Sequence, residues 1–212
     1  FQYLILIIVF FSIDTFSFAQ GIKFSHLGLK DGLSQTTVFT ILQDKQGFMW
    51  FGTIDDLNKY NGYEFEVYKS ILNDQNSISN NRINAIVEGA DGNLWIGTNN
   101  GLNYFNKKTN SFLRVDLYKQ LSLSNNPRKF INALLFDEEN NALWVATNNG
   151  VIKILLEEFN ADVSELKFYY YLNDDSNLNS LDNNIVNVIA IRGFMKRSNK
   201  NKNNATTIFD NI

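Results

Sequence analysis

The feature that most restricts the fold is a repeat built around tryptophan. All three Trp residues stand in one local pattern, separated by 45 and 49 residues. The first copy reads Met49-Trp50-Phe51-Gly52-Thr53, then Leu57-Asn58. The second reads Leu94-Trp95-Ile96-Gly97-Thr98-Asn99-Asn100-Gly101-Leu102-Asn103. The third reads Leu143-Trp144-Val145-Ala146-Thr147-Asn148-Asn149-Gly150-Val151. The match extends upstream: Val38-Phe39-Thr40-Ile41-Leu42 corresponds to Ile83-Asn84-Ala85-Ile86-Val87 and to Ile131-Asn132-Ala133-Leu134-Leu135. Before these lie Leu33-Ser34, Ile78-Ser79 and Leu123-Ser124, and a fourth copy opens at Leu181–Ile189. A fixed period of this length marks an array of supersecondary units that bury their apolar faces only against one another.

Each unit reads as short strands separated by turns. Val38–Leu42 is an apolar β run, Phe48–Thr53 the next, Leu57–Tyr60 the third, and Glu64–Tyr68 an alternating fourth, with Ser111–Val115 its counterpart in the second copy. Gly47, Asp91-Gly92-Asn93 and Asn140-Asn141 supply turns after the first strand, and Asn100-Gly101 and Asn149-Gly150 supply turns after the second. Four short antiparallel strands per repeat make one blade of a β-propeller. Helical repeats would need a 3.6-residue apolar period, which these runs lack. The expected fold is all-β: a partial propeller of three four-stranded blades, near 33–77, 78–122 and 123–180, with the start of a fourth at 181–191. Gly52, Gly97 and Ala146 share one strand position, as expected where blades crowd near an axis. Trp50, Trp95 and Trp144 are expected to fill the wedges between blades. Thr53, Thr98 and Thr147 follow, with Gly101 and Gly150 in the turns.

Composition narrows the function. Hydrophobic residues make up 44% of the 212-residue chain and aromatics 14%, enough for a packed core. There is no cysteine and a single histidine, His26, which excludes thiolate chemistry and argues against a His-based metal site. A net charge of −3 argues against a nucleic-acid partner. Asparagine is abundant, at 32 residues, with none before Asn58, and reads as turn-forming. Residues 1–19 begin with the apolar run Phe1–Phe11 and end Ser17-Phe18-Ala19, small residues at the positions a signal peptidase needs, so they read as a secretory signal. Residues 192–212 form a basic Asn- and Lys-rich tail with a net charge of +4, where a fourth blade should instead reach its Trp. That tail reads as non-blade sequence produced by a frameshift or premature stop, and the open blade edges it leaves are aggregation-prone.

The Trp-x-Gly-Thr and Asn-Gly-Leu-Asn elements, with Phe24-Ser25-His26-Leu27 and Asp31-Gly32-Leu33-Ser34 before them, resemble the two-component regulator propeller repeat. That repeat belongs to the periplasmic sensor region of hybrid histidine kinases in glycan-using bacteria. Two positions depart from it: Asp56 stands where the repeat carries Gly, and Ala146 replaces a Gly. The resemblance implies a periplasmic sensing module with an oligosaccharide as ligand, and further blades and a kinase elsewhere in the parent chain as partners; the open blade edge, which would pair with another chain, makes a homodimer a candidate assembly. It implies no catalytic domain, catalytic residue or cofactor in this stretch. A protein-interaction scaffold or a non-functional gene fragment is the alternative, and a propeller lyase or hydrolase ranks below both.

Candidate chemistry is sparse. Asp44, Glu88 and Asp137 recur at the end of the first strand and read as turn or solvent-face carboxylates rather than metal ligands. Asp55-Asp56 are adjacent on a turn and should point apart. The Asn-Asn-Gly runs at 99–101 and 148–150 have amides suited to glycans, although turn formation accounts for them. Tyr60, Tyr63 and Tyr104, read as loop aromatics, are the candidate ligand contacts.

Overall fold

The computed structural model describes residues 24–118 and 129–190, apart from 158, 161, 175, 178, 179 and 182. The expected leader at 1–19 and basic tail at 192–212 lie outside the described residues. The described residues form three four-stranded antiparallel sheets, each in sequence order. The first holds β1 (Val38–Gln43), β2 (Met49–Thr53), β3 (Leu57–Tyr60) and β4 (Phe65–Tyr68). The second holds β5 (Ile83–Glu88), β6 (Leu94–Thr98), β7 (Gly101–Asn106) and β8 (Ser111–Val115). The third holds β9 (Ile131–Asp137), β10 (Ala142–Thr147), β11 (Gly150–Leu155) and β12 (Lys167–Tyr171). The first strands of successive sheets lie together, β1 against β5 and β5 against β9, so the sheets are blades arranged about a common axis. The fold is the expected partial β-propeller, with residues 183–190 following the third blade without forming a strand.

The repeat exists because each blade's apolar face is completed by the next. Trp50, Leu57 and Tyr68 of the first blade pack against Ile83, Ile86, Ile96, Phe105 and Phe112 of the second. Trp95, Leu102 and Tyr104 of the second pack against Ile131, Leu143, Val145 and Ile152 of the third. Trp144 and Val151 pack with Val186 of the fourth copy. Trp50 and Trp95 are each 1% exposed. Full burial of a large apolar side chain contributes about 1.5–3 kcal/mol, so these wedges carry much of the inter-blade cohesion. The third blade carries a feature that the repeat pattern does not announce. Residues between β11 and β12 form an insertion, and its Phe159 sits 5.3 Å from Trp95 and 4.9 Å from Tyr104, ring centre to ring centre.

The small residue on the second strand has a steric cause. A Cβ at Gly52 would lie 2.7 Å from Ile83 Cγ2, and one at Gly97 would lie 2.5 Å from Ile131 Cγ2. Both contacts are far inside van der Waals distance, and both involve the first residue of the next blade's inner strand. The third blade accommodates Ala146 beside Val186, in the segment without a strand.

The second-to-third-strand turn is closed by the threonine. Thr98 Oγ1 donates to Gly101 O at 3.0 Å and accepts from Asn100 N at 3.0 Å. Thr147 does the same with Gly150 O at 2.8 Å and Asn149 N at 2.9 Å. The turn residue needs a left-handed backbone, and Gly101 and Gly150 adopt φ of 111° and 101°. Asp56 occupies that place in the first blade with φ of 89°. Its side chain is 2% exposed beside Lys69, whose Nζ lies 3.3 Å from Oδ2, while Oδ1 is buried with no hydrogen-bond partner. Burial raises the Asp56 pKa above the ordinary carboxylate value, and Lys69 only partly offsets this. The first blade therefore holds both backbone strain and an incompletely satisfied carboxylate where its siblings hold glycine.

Two outcomes follow for urea unfolding monitored by tryptophan emission. Gly97→Ala is expected to cost about 1–3 kcal/mol, because the methyl meets Ile131 in a packed interface. Asp56→Gly is expected to stabilise by about 1 kcal/mol or more at pH 7 by relieving the strained φ. The gain should shrink on acidification, because a carboxyl whose folded pKa is raised favours folding below its unfolded pKa and loses that contribution as pH rises through the folded value.

Candidate functional site

The inner strands meet around a concave polar depression of about 490 Å³ at one end of the axis. It is lined by residues beside one apolar position of each repeat: Val38, Ile83 and Ile131, which open the inner strands, and Val186 of the fourth copy, which lies in no strand. Arg82 and Asn84 flank Ile83, Phe130 and Asn132 flank Ile131, Asn187 follows Val186, and Phe39 follows Val38. Asn99 and Asn148, from the turns after β6 and β10, complete the wall. Alternation along an inner strand explains the arrangement: the apolar residue turns into the wedge and its neighbours turn toward the axis.

The asparagines here also bind one blade to the next. Asn84 Nδ2 donates to Asn99 Oδ1 at 2.9 Å and to Ile131 O of the following blade at 2.8 Å. Asn132 repeats this one blade on, donating to Asn148 Oδ1 at 2.8 Å and Val186 O at 2.9 Å. In the first blade the position is Phe39, whose ring instead lies 4.5 Å below the Arg82 guanidinium carbon. A second set of asparagines anchors the connections into each blade. Asn103 Oδ1 accepts from Ser79 N at 2.9 Å while its Nδ2 donates to Ser79 Oγ at 2.9 Å, and Asn58 holds Ser34 in the same way at 2.9 and 2.8 Å. Asparagine does serve turns, as at Asn61 and Asn106. The turn-forming reading is corrected for Asn58, Asn84, Asn103 and Asn132, which sit at strand and blade junctions because a side-chain amide donates and accepts at once.

The opposite end of the axis is organised by charge. Lys107 Nζ lies 2.8 Å from Asp44 Oδ2 and 2.9 Å from Glu88 Oε1, so a second-blade lysine joins carboxylates from the first and second blades. The Trp50 indole N–H donates to Asp44 Oδ2 at 2.9 Å, and Lys45 N donates to Glu88 Oε2 at 2.9 Å. Burial pushes the Asp44 pKa up. The bonds from Lys107 and Trp50 and the lysine's charge together outweigh it, and the carboxyl stays below its ordinary value. The recurring carboxylates are thus corrected from solvent-face residues to structural acceptors at two sites: Asp44 is 4% exposed and Asp137 8%. Asp137 Oδ2 accepts from Asn140 Nδ2 at 2.8 Å, and Oδ1 accepts from Asn140 N at 3.1 Å.

The aromatic candidates do not converge. Tyr104 is corrected from a loop aromatic to a core residue of β7, 1% exposed, with its hydroxyl between Asp91 and Asn93. Burial, with Asp91 beside it, raises its pKa well above the phenol range. Tyr60 closes β3, with its ring 4.7 Å from Phe65 and its hydroxyl donating to Gly62 O at 2.8 Å. Tyr63 stands on the turn, 93% exposed. His26 is exposed in the segment before β1. The axial residues were open to discovery in the sequence. An Asn inside an otherwise apolar strand, and a position occupied in turn by Thr37, Arg82, Phe130 and Ile185, break the repeat where its neighbours hold it.

The two-component regulator propeller family model matches residues 32–55 and 77–100. A histidine kinase of Formosa agariphila is 51% identical over 49 residues, 23% of this chain and 4% of the kinase. The extracellular domain of a putative hybrid two-component system from B. thetaiotaomicron superposes with a TM-score of 0.64 at 28% identity, covering 78% of this chain and 22% of that domain. A second such domain from B. thetaiotaomicron shares the fold, with a TM-score of 0.59 at 22% identity over 76% of this chain and 20% of its own length. The chain thus spans about a fifth of these domains and a small fraction of the kinase.

Removing the lysine of the charged end leaves two buried carboxylates without their cation. Lys107→Met is expected to destabilise by about 3–5 kcal/mol at pH 7. In the wild type, Asp44 contributes stability above its unfolded pKa and loses it as pH falls through its depressed folded value. The variant lacks that contribution, so melting curves from pH 7 to pH 3 should converge. A gap independent of pH would contradict the assignment.

Proposed function

We propose, from the match of segments of the first two blades to the two-component regulator propeller repeat, that the chain is an extracytoplasmic, periplasmic sensor module of a hybrid two-component system that recognises an oligosaccharide on its axial face. The observation carrying this reading is the depression itself, where the exposed or half-exposed rings of Phe39 and Phe130 stand among the amides of Asn84, Asn99, Asn132, Asn148 and Asn187. Aromatic faces receive the C–H surface of a sugar ring, and amides supply paired donors and acceptors for vicinal hydroxyls. The similarity to extracellular domains of hybrid two-component systems supports the location and the signalling context. In this reading the chain supplies recognition, and the remaining polypeptide supplies the kinase. The asparagine bridges give a route for the signal: a ligand that engages Asn84 or Asn132 acts on the bonds that set one blade against the next.

Isothermal titration of the complete ectodomain against an oligosaccharide panel tests this. At least one member is expected to bind, and Phe130→Ala should weaken it tenfold or more, about 1.4 kcal/mol, without changing the melting temperature. Silence across the panel, or binding indifferent to Phe130, would contradict the axial assignment.

A further inference from the structure

We propose that Arg82 makes the axial site selective for an anionic saccharide, one presenting a carboxylate or sulfate to the guanidinium. The inference rests on reading the axial face as a saccharide site and adds the charge class of its ligand. Arg82 is the one charged side chain among the described residues lining the depression. It is held in place from three directions. Its guanidinium carbon stands 4.5 Å over the Phe39 ring, its Nε donates to Asn84 Oδ1 at 3.3 Å, and its backbone N donates to Asn80 Oδ1 at 2.9 Å. Asn84 is itself fixed: its Nδ2 bonds to Asn99 and Ile131, which turns Oδ1 toward the arginine.

The terminal nitrogens of Arg82 have no protein partner among the described residues, and the described ion pairs involve Lys59, Lys69 and Lys107 instead. Asp55, on the neighbouring turn, accepts from Asn81 at 3.3 Å and does not line the depression. Arg114 shows the contrasting structural use of the same side chain. Its Nη2 donates to Asp74 O at 2.9 Å and to Ser77 O at 3.2 Å, and its Nε donates to Ser77 O at 3.2 Å, so its fork is committed to the chain. Arg82 keeps its two terminal nitrogens for a ligand, and no carboxylate stands among the described residues lining the depression. A preorganised guanidinium matches the two oxygens of a carboxylate or sulfate, and its stacking on an aromatic ring lowers the entropy lost on binding. The charge is local to one blade. Thr37, Phe130 and Ile185 hold the equivalent places elsewhere, so the site presents a single anion position with Phe130 beside it as the ring platform.

The test uses the complete ectodomain and tetrasaccharides in matched pairs: uronate-containing against carboxyl-reduced, and sulfated against desulfated. At least one anionic member should bind tenfold or more tightly than its neutral counterpart, and added NaCl should reduce the difference. The uronate and sulfate arms identify which anion is read. Arg82→Gln should abolish the difference between the members of a pair, and Arg82→Lys should retain part of it. Equal binding within every pair, or a preference that survives Arg82→Gln, would overturn the inference and leave the saccharide reading standing. Failure of every saccharide, neutral or anionic, would remove that reading and the charge assignment with it.

Discussion

The structure depends on apolar faces that no blade can cover alone. A four-stranded sheet with a tryptophan, a leucine and a tyrosine on one side is a poor fold in isolation, because a single small sheet leaves that side in water. Set against the reverse face of the next sheet, the same residues become a continuous core, as Trp50 does against Phe105 at 5.6 Å. The requirement for close approach then fixes the small residue at Gly52 and Gly97, since a methyl there would strike the isoleucine that opens the next blade. Spacing, residue size and apolar pattern are three expressions of one packing geometry.

Polar groups locate what the apolar wedges hold together. Hydrophobic burial is non-directional and would tolerate sliding of one blade over another. The Asn84–Ile131 and Asn132–Val186 bonds and the Lys107 bridge are directional and sit at opposite ends of the blades. They define how far one sheet is rotated against the next, and the asparagine bonds border the axial depression. A ligand at the axial end therefore meets the same side chains that set blade geometry, so recognition and inter-blade alignment share atoms.

Most of the architecture was legible because the repeat is written three times. The Trp-x-Gly-Thr element, the upstream inner strand and the turns each align, and their strands are found where the alternation places them. The Leu-Ser and Ile-Ser pairs before the first two blades were visible as a repeat, and their cause, the clasp from Asn58 and Asn103, appears only in three dimensions. The site was less legible for a physical reason. The axial residues belong to different blades, so their proximity comes from the rotation between sheets and not from any local spacing. Tyr104 misled because an aromatic after an Asn-Gly turn looks like a loop residue, whereas the next blade's insertion, through Phe159, seals it. Asp56 was recognisable as a departure from the repeat, and the structure supplies its meaning as a left-handed residue with a buried carboxylate.

The central claim is that blades are stabilised across their junctions and not within themselves. Native-state amide hydrogen exchange of Trp50→Ala tests it most directly. If the wedge works as described, protection is lost in β5 and β6 of the second blade as well as in β1–β3. Loss confined to the first blade, with β5 and β6 as protected as in the wild type, would contradict the account.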